Sequence, residues 1–247
     1  MNIYNPISIV ISTRNSERYI EKCLNSAISQ NYPNFEIIFI DAESSDKTYN
    51  LALNFKNKVR VFRNRKRKFQ GGNVLSGVRL SKPKSIIVTL DGDDWFPHEN
   101  VISRVNQEYV ETDCWMTYGT YKEFPERGVS HIYREYPEEV RINKTFRSYR
   151  WLASHLRTFR RELFLKIKIS DLKENGEFFS AAPDLTFQFP MLEMCGTNKS
   201  RYIPDILYVY NMDNPVSESR IMADNIQRIE AIIRSKPPYP TLETLYE

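Results

Sequence analysis

Between residues 7 and 90, four apolar, β-branched runs alternate with segments of helical periodicity, and this alternation limits the fold more than any other feature of the chain. Ile7-Ser8-Ile9-Val10-Ile11-Ser12 reads as a first buried strand that ends in the polar Thr13-Arg14-Asn15. Tyr19, Ile20, Cys23, Leu24, Ala27 and Ile28 then recur at helical spacing until Asn31-Tyr32-Pro33 stops them. Phe35-Glu36-Ile37-Ile38-Phe39-Ile40 is a second strand, followed by a helix through Tyr49, Leu51, Ala52 and Phe55 that Ser45 or Asp46 can cap. A short strand at 59–62, a helix opened by Gly71-Gly72 and a fourth strand at 85–90 complete a β-α-β-α-β-α-β order. Such alternation builds an α/β, Rossmann-like, mostly parallel sheet flanked by helices, because parallel neighbours are joined by right-handed crossovers. Ligands of open sheets like this bind beyond the carboxyl ends of the strands, near the point where strand order reverses. Thr13, Asp41 and Asp91 each stand just past such an end.

The fourth strand runs directly into Asp91-Gly92-Asp93-Asp94-Trp95. Carboxylates this close repel one another, and burying them uncompensated is costly. A divalent cation relieves both problems, and hard oxygen ligands suit Mg²⁺ or Mn²⁺. Gly92 allows a tight turn, so that Asp91 and Asp93 can face one spot while Asp94 faces elsewhere. The bland alternative is an acidic turn that merely closes a strand. Three polar strand ends meeting in one crevice suggest a bound nucleotide, yet no Gly-x-Gly-x-x-Gly or Walker loop is present to hold phosphates. A metal or side chains must then hold them.

Beyond Asp94 the alternation breaks down. A helix is expected over 99–109, a strand over 115–118, and a long loop region over 123–150. Residues 154–159 lead into Glu162-Leu163-Phe164; Ala182-Pro183-Asp184 starts a helix running to Met194; a late strand covers 206–210 and an amphipathic helix 223–233. Lys236-Pro237-Pro238-Tyr239-Pro240 ends that helix, and 236–247 reads as a tail. The expectation is one domain over 1–235, with a nucleotide-binding half over about 5–95 and a second half over about 96–235.

The 35 basic residues nearly balance 31 acidic ones, which argues against a nucleic-acid binder. Cys23, Cys114 and Cys195 are odd in number and sit in apolar patterns, as reduced buried thiols do. No window approaches the roughly 18 apolar residues of a membrane span, and the start lacks a signal-peptide pattern, so a soluble cytoplasmic protein is expected.

Four landmarks in order, Val10-Ile11-Ser12-Thr13-Arg14-Asn15, Glu36 through Thr48, Leu90-Asp91-Gly92-Asp93-Asp94 and Pro183-Asp184, resemble the family 2 glycosyltransferases. The resemblance covers residues 5–215, and the segments 154–164 and 190–194 look like a subgroup with a His-Leu-Arg-Thr-Phe signature. It implies the GT-A fold and transfer of a sugar from a nucleotide sugar, most often a UDP-sugar, to an acceptor hydroxyl with inversion. Carried over by position, Thr13 and Arg14 would line the nucleotide pocket and Glu17 would help hold the ribose. Asp41 would accept from the uracil ring, Asp91 would contact ribose or metal, Asp93 would be the main metal ligand, and Asp184 would be the catalytic base. Ala42-Glu43 stands where the family usually has a second acid, and Pro183 where another acid commonly precedes the base.

Other residues carry two readings each. Asp184 can serve as general base or simply cap its helix. His155 can complete the metal shell or be a satisfied buried histidine. Arg157 can fork onto phosphate or make a structural ion pair, and Trp95 can stack on a sugar or belong to the core. Gln70-Gly71-Gly72-Asn73 lies near the expected nucleotide site, with Asn73 as a contact, and the basic run 63–68 reads as a solvated loop or as attraction for an anionic substrate. The rivals are a nucleotidyltransferase or aspartyl phosphatase on a similar sheet, and a non-catalytic sugar-nucleotide-binding protein. The acceptor, whether glycan, lipid carrier, protein or small molecule, is left open, and the apolar face of the last helix offers a surface for a homodimer.

Overall fold

The computed structural model describes residues 3–125, 128–130, 132–215 and 223–246. Its first half follows the alternation: β1 (Ile7–Thr13), α1 (Ile20–Ile28), β2 (Phe35–Asp41), α2 (Thr48–Leu53), β3 (Arg60–Arg63), α3 (Phe69–Leu80) and β4 (Ile86–Asp91). The second half adds α4 (Val101–Thr112), β5 (Met116–Phe124), α5 (Glu138–Asn143), β6 (Ser154–Arg160) and α6 (Arg161–Leu165). A small ribbon, β7 (Lys173–Glu174) with β8 (Glu177–Phe178), precedes α7 (Pro183–Cys195), β9 (Ser200–Asn211) and α8 (Ala223–Ser235).

The seven-stranded sheet has the order β3-β2-β1-β4-β6-β5-β9. β1 pairs in parallel with both β2 and β4, so the order reverses at β1, and β6 alone runs against its neighbours β4 and β5. Ile9 and Ile11 enter the core on the α1 and α4 side, while Val10 enters the core under α3 and α7. Burial on both faces explains why β1 and β4 are nearly continuous apolar runs rather than alternating ones. The register sets Thr13 beside Asp41 and Ser12 beside Asp91, which levels the three polar strand ends at one edge.

Several expectations change. α3 starts at Phe69, ahead of Gly71-Gly72, and β9 starts at Ser200 rather than 206. The stretch expected as a loop over 123–150 contains α5 and a 3-10 turn at Thr145–Arg147; residues 126, 127 and 131 of it lie outside the described residues. The segment expected as a tail is packed against the domain: Leu242 N–H donates to Met194 O at 3.0 Å, Tyr239 N–H to Glu193 Oε2 at 2.9 Å, and Leu245 is buried. Nor is the apolar face of the last helix open for subunit pairing, because Ile229 and Ile233 are buried in the chain's own core. Trp95 belongs to the core, edge-to-face with Phe124 and covered by the Lys22 ammonium at 3.4 Å. Among the described residues no helix is long and apolar enough to cross a membrane.

Candidate active site

A cavity of about 380 Å³ opens at the carboxyl ends of β1 and β4, where strand order reverses. One part of its wall comes from the first half of the chain: Ser12, Thr13, Arg14, Ser16, Ala42, Gln70, Asn73, Asp91, Asp93 and Asp94. The other comes from His155 and Arg157 on β6, Asp184 at the start of α7, Tyr210 and Asn214 around the end of β9, and Trp151, Ile226 and Glu230.

The turn after β4 sorts its carboxylates. Asp91 Oδ1 accepts from Gln70 Nε2, and Asp93 Oδ2 accepts from Asn214 Nδ2 at 2.7 Å. Asp94 turns instead to β9, where Tyr208 Oη donates to its Oδ2 at 2.6 Å and Asn211 N–H to its Oδ1 at 2.7 Å. Asp94 therefore locks the turn and leaves Asp91 and Asp93 for a ligand. Gly92 acts here through size: a methyl group on it would overlap the Thr13 side chain, so the turn lies flat on β1, where Gly92 N–H donates to Ser12 O at 3.2 Å. No left-handed backbone is involved, contrary to the conformational reason the sequence suggested.

Burial and then the Asp93 charge push Asp91 up, while Arg157 and the Gln70 bond pull it back, for a balance at about 7. Burial also raises Asp93. Two crowded carboxylates, each disfavoured in its charged form, are an electrostatic fit for a divalent cation. Among the described residues no three His, Cys, Asp or Glu side chains form a ready metal cage. Two carboxylates completed by substrate phosphate and water are the usual arrangement for Mg²⁺.

His155 lines the same cavity and is held by its neighbours. Its Nε2 lies 2.9 Å from Arg157 Nη2, its ring stacks on Tyr208 at 4.4 Å, and burial followed by the Arg157 charge holds it well below the usual histidine range. Arg157 also donates to Asp184 Oδ2 at 2.9 Å. Burial works against the Arg157 charge, but Asp184 and Asp91 outweigh it, so this guanidinium is the cationic hinge between the two acidic parts of the wall.

Asp41 is fully buried, with Oδ2 accepting from Ser44 N–H at 3.1 Å and facing Arg63 Nε at 3.2 Å. Its Oδ1 has no partner in the chain, a vacancy that a ligand N–H could fill. Its neighbour Ala42, rather than Asp41 itself, is a wall residue. Asn73 lines the cavity and accepts from Asn64 Nδ2 at 2.6 Å, and Arg14 lines it with its Nε unpartnered. Glu17 is not in the wall: its Oε2 accepts from Lys47 N–H at 2.9 Å and its own N–H donates to Asp46 Oδ2, bracing two loops together. Sequence reasoning missed Asn214, Trp151, Ile226 and Glu230, which enter from distant segments without a local pattern of their own.

This architecture is the GT-A fold. Solved structures with similar folds include TarS of S. aureus in complex with UDP-GlcNAc, at TM-score 0.69 and 18% identity, covering 92% of this chain and 66% of that one. The mannosyltransferase PcManGT of Pyrobaculum calidifontis, in complex with GDP-Man and Mn²⁺, matches at TM-score 0.64 and 16% identity, covering 95% of this chain and 66% of that one. The chain belongs to glycosyl transferase family 2, whose model matches residues 8–168. Glycosyltransferase GlyG of Streptococcus pneumoniae is 25% identical over 221 residues, 83% of this chain and 70% of GlyG. An uncharacterized glycosyltransferase of Rickettsia felis is 29% identical over 150 residues, 58% of this chain and 24% of that protein, so the chain spans about a quarter of that relative's length.

Proposed function

We propose that the protein is a metal-dependent, inverting glycosyltransferase that moves a sugar from a UDP-sugar to an acceptor hydroxyl. The observation that carries this reading is the meeting of Asp91 and Asp93 with Asp184 in one cavity at the reversal point of the sheet. Thr13, Arg14 and Asn73 line the nucleotide part of the cavity, and the unpartnered Asp41 Oδ1 suits the N–H of a uracil ring. Asp91 and Asp93 would hold Mn²⁺ or Mg²⁺, which neutralises charge on the departing diphosphate.

The acceptor oxygen attacks the anomeric carbon from the side opposite the diphosphate and forms the new C–O bond. The old bond from that carbon to the phosphate oxygen breaks, its electron pair leaves with UDP, and the acceptor proton passes to an oxygen of Asp184. Arg157 holds the Asp184 carboxylate in position through Oδ2, so attack geometry is set before the acceptor arrives. A panel of UDP- and GDP-sugars with Mn²⁺, read by nucleotide diphosphate release, tests the reading. Release from a UDP-sugar that chelator stops supports it; no release and no binding of any donor contradicts it.

A further inference from the structure

Three wall residues, Trp151, Ile226 and Glu230, have no part in the donor chemistry above. Ile226 and Glu230 stand one turn apart on α8 and share the helix face that meets the cavity. Trp151 is half-buried, and its ring meets Phe189 edge-to-face at 5.2 Å. Arg234 joins these parts into one construction. Its Nε donates to Glu230 Oε1 at 2.8 Å, and its Nη1 donates to the carbonyls of Arg147 and Tyr149 at 2.7 and 2.8 Å. Its guanidinium also covers the Phe189 ring at 5.1 Å. The clamp fixes Glu230 against the chain leading to Trp151 and engages only the Oε1 oxygen of the carboxylate.

An aromatic ring, an aliphatic neighbour and a fixed carboxylate together suit a pyranose, whose C–H face packs on the ring and whose hydroxyls donate to the carboxylate. They do not suit a phosphate ester. Glu230 and Asp184 would repel it, and of the described wall residues only Arg14 and Arg157 are basic, with Arg157 already paired to Asp184. We infer that Trp151, Ile226 and Glu230 form the acceptor subsite, and that the acceptor is a phosphate-free saccharide presenting a ring hydroxyl to Asp184. This rests on the glycosyl-transfer reading of the same cavity.

The test measures UDP release from the active donor with Mn²⁺, in the presence of p-nitrophenyl glycosides of glucose, galactose and N-acetylglucosamine, or of sn-glycerol 3-phosphate. At least one glycoside should accelerate release and gain a sugar, while glycerol 3-phosphate should not. Trp151→Ala should raise the KM for that glycoside about 10-fold, with Trp151→Phe recovering most of the loss and Glu230→Gln raising it roughly 3-fold. The donor KM should move by less than about 2-fold in each. If Trp151→Ala does not fold, Glu230→Gln still decides the matter. Acceleration by glycerol 3-phosphate alone, no response to any glycoside, or an unchanged glycoside KM in Glu230→Gln or in folded Trp151→Ala overturns the inference. Calorimetry with UDP and Mn²⁺ on the same sample separates the two failures: UDP binding without a glycoside response overturns the subsite alone, whereas no UDP binding overturns the donor reading beneath it.

Discussion

Arg157 Nη2 donates to Asp184 Oδ2 at 2.9 Å, tying the middle of β6 to the first turn of α7. The contact explains how a carboxylate at a helix start becomes a fixed feature of the cavity rather than an ordinary cap. Asp184→Asn keeps the shape but cannot take the acceptor proton, so transfer should fall by about 10²–10⁴-fold while UDP affinity stays near wild type. Single-turnover kinetics beside UDP calorimetry check this; equal transfer by the variant would assign the residue to capping.

Gly92 and Thr13 test how closely the acidic turn must lie on β1. Gly92→Ala places a methyl group in the Thr13 side chain and must displace either the turn or the strand end. A cost of about 1–3 kcal/mol is expected, seen as a lower denaturation midpoint or as weaker UDP binding when the turn yields. A variant with wild-type stability and affinity would mean the turn has slack.

The second half has a buried tie of its own. Arg147 Nε and Nη2 grip the two oxygens of Glu193 at 2.6 and 3.0 Å, and Tyr239 N–H from the C-terminal segment joins Glu193 Oε2. Removing the cation alone strands a buried carboxylate, so Arg147→Met should cost about 3–5 kcal/mol in chemical denaturation. Arg147→Met with Glu193→Leu should recover part of that loss. No recovery would mean that packing, not charge, dominates the single variant.

Burial pushes the thiols of Cys23 and Cys195 well up and that of Cys114 to about 11, leaving little thiolate near neutrality. At pH 8 the folded protein should react slowly with a disulfide reagent at all three cysteines, and completely after unfolding. A fast-reacting native thiol would show that one of these core regions opens.

What the sequence makes legible follows from the range of the forces involved. β1, β2 and β4 announce themselves because both faces are buried, and their parallel register brings Thr13, Asp41 and Asp91 level without further information. The Asp91–Asp93 pair is readable because its members are neighbours in the chain. His155 and Glu17 are different: Arg157 and Tyr208 capture His155, and Lys47 with Asp46 captures Glu17, through partners that only tertiary packing supplies. The same holds for β6, which enters between β4 and β5 against their direction, and for Glu230, which reaches the cavity through the Arg234 clamp.

If Asp91 and Asp93 recruit a divalent cation for the nucleotide donor, UDP binding depends on that cation and on Asp93. Calorimetric titration of UDP into the protein with Mn²⁺, with chelator, and into Asp93→Ala with Mn²⁺ addresses it most directly. Binding should be present in the first case and weaker by at least about 10-fold in the other two. The same affinity in all three, or no binding in any, would contradict the account.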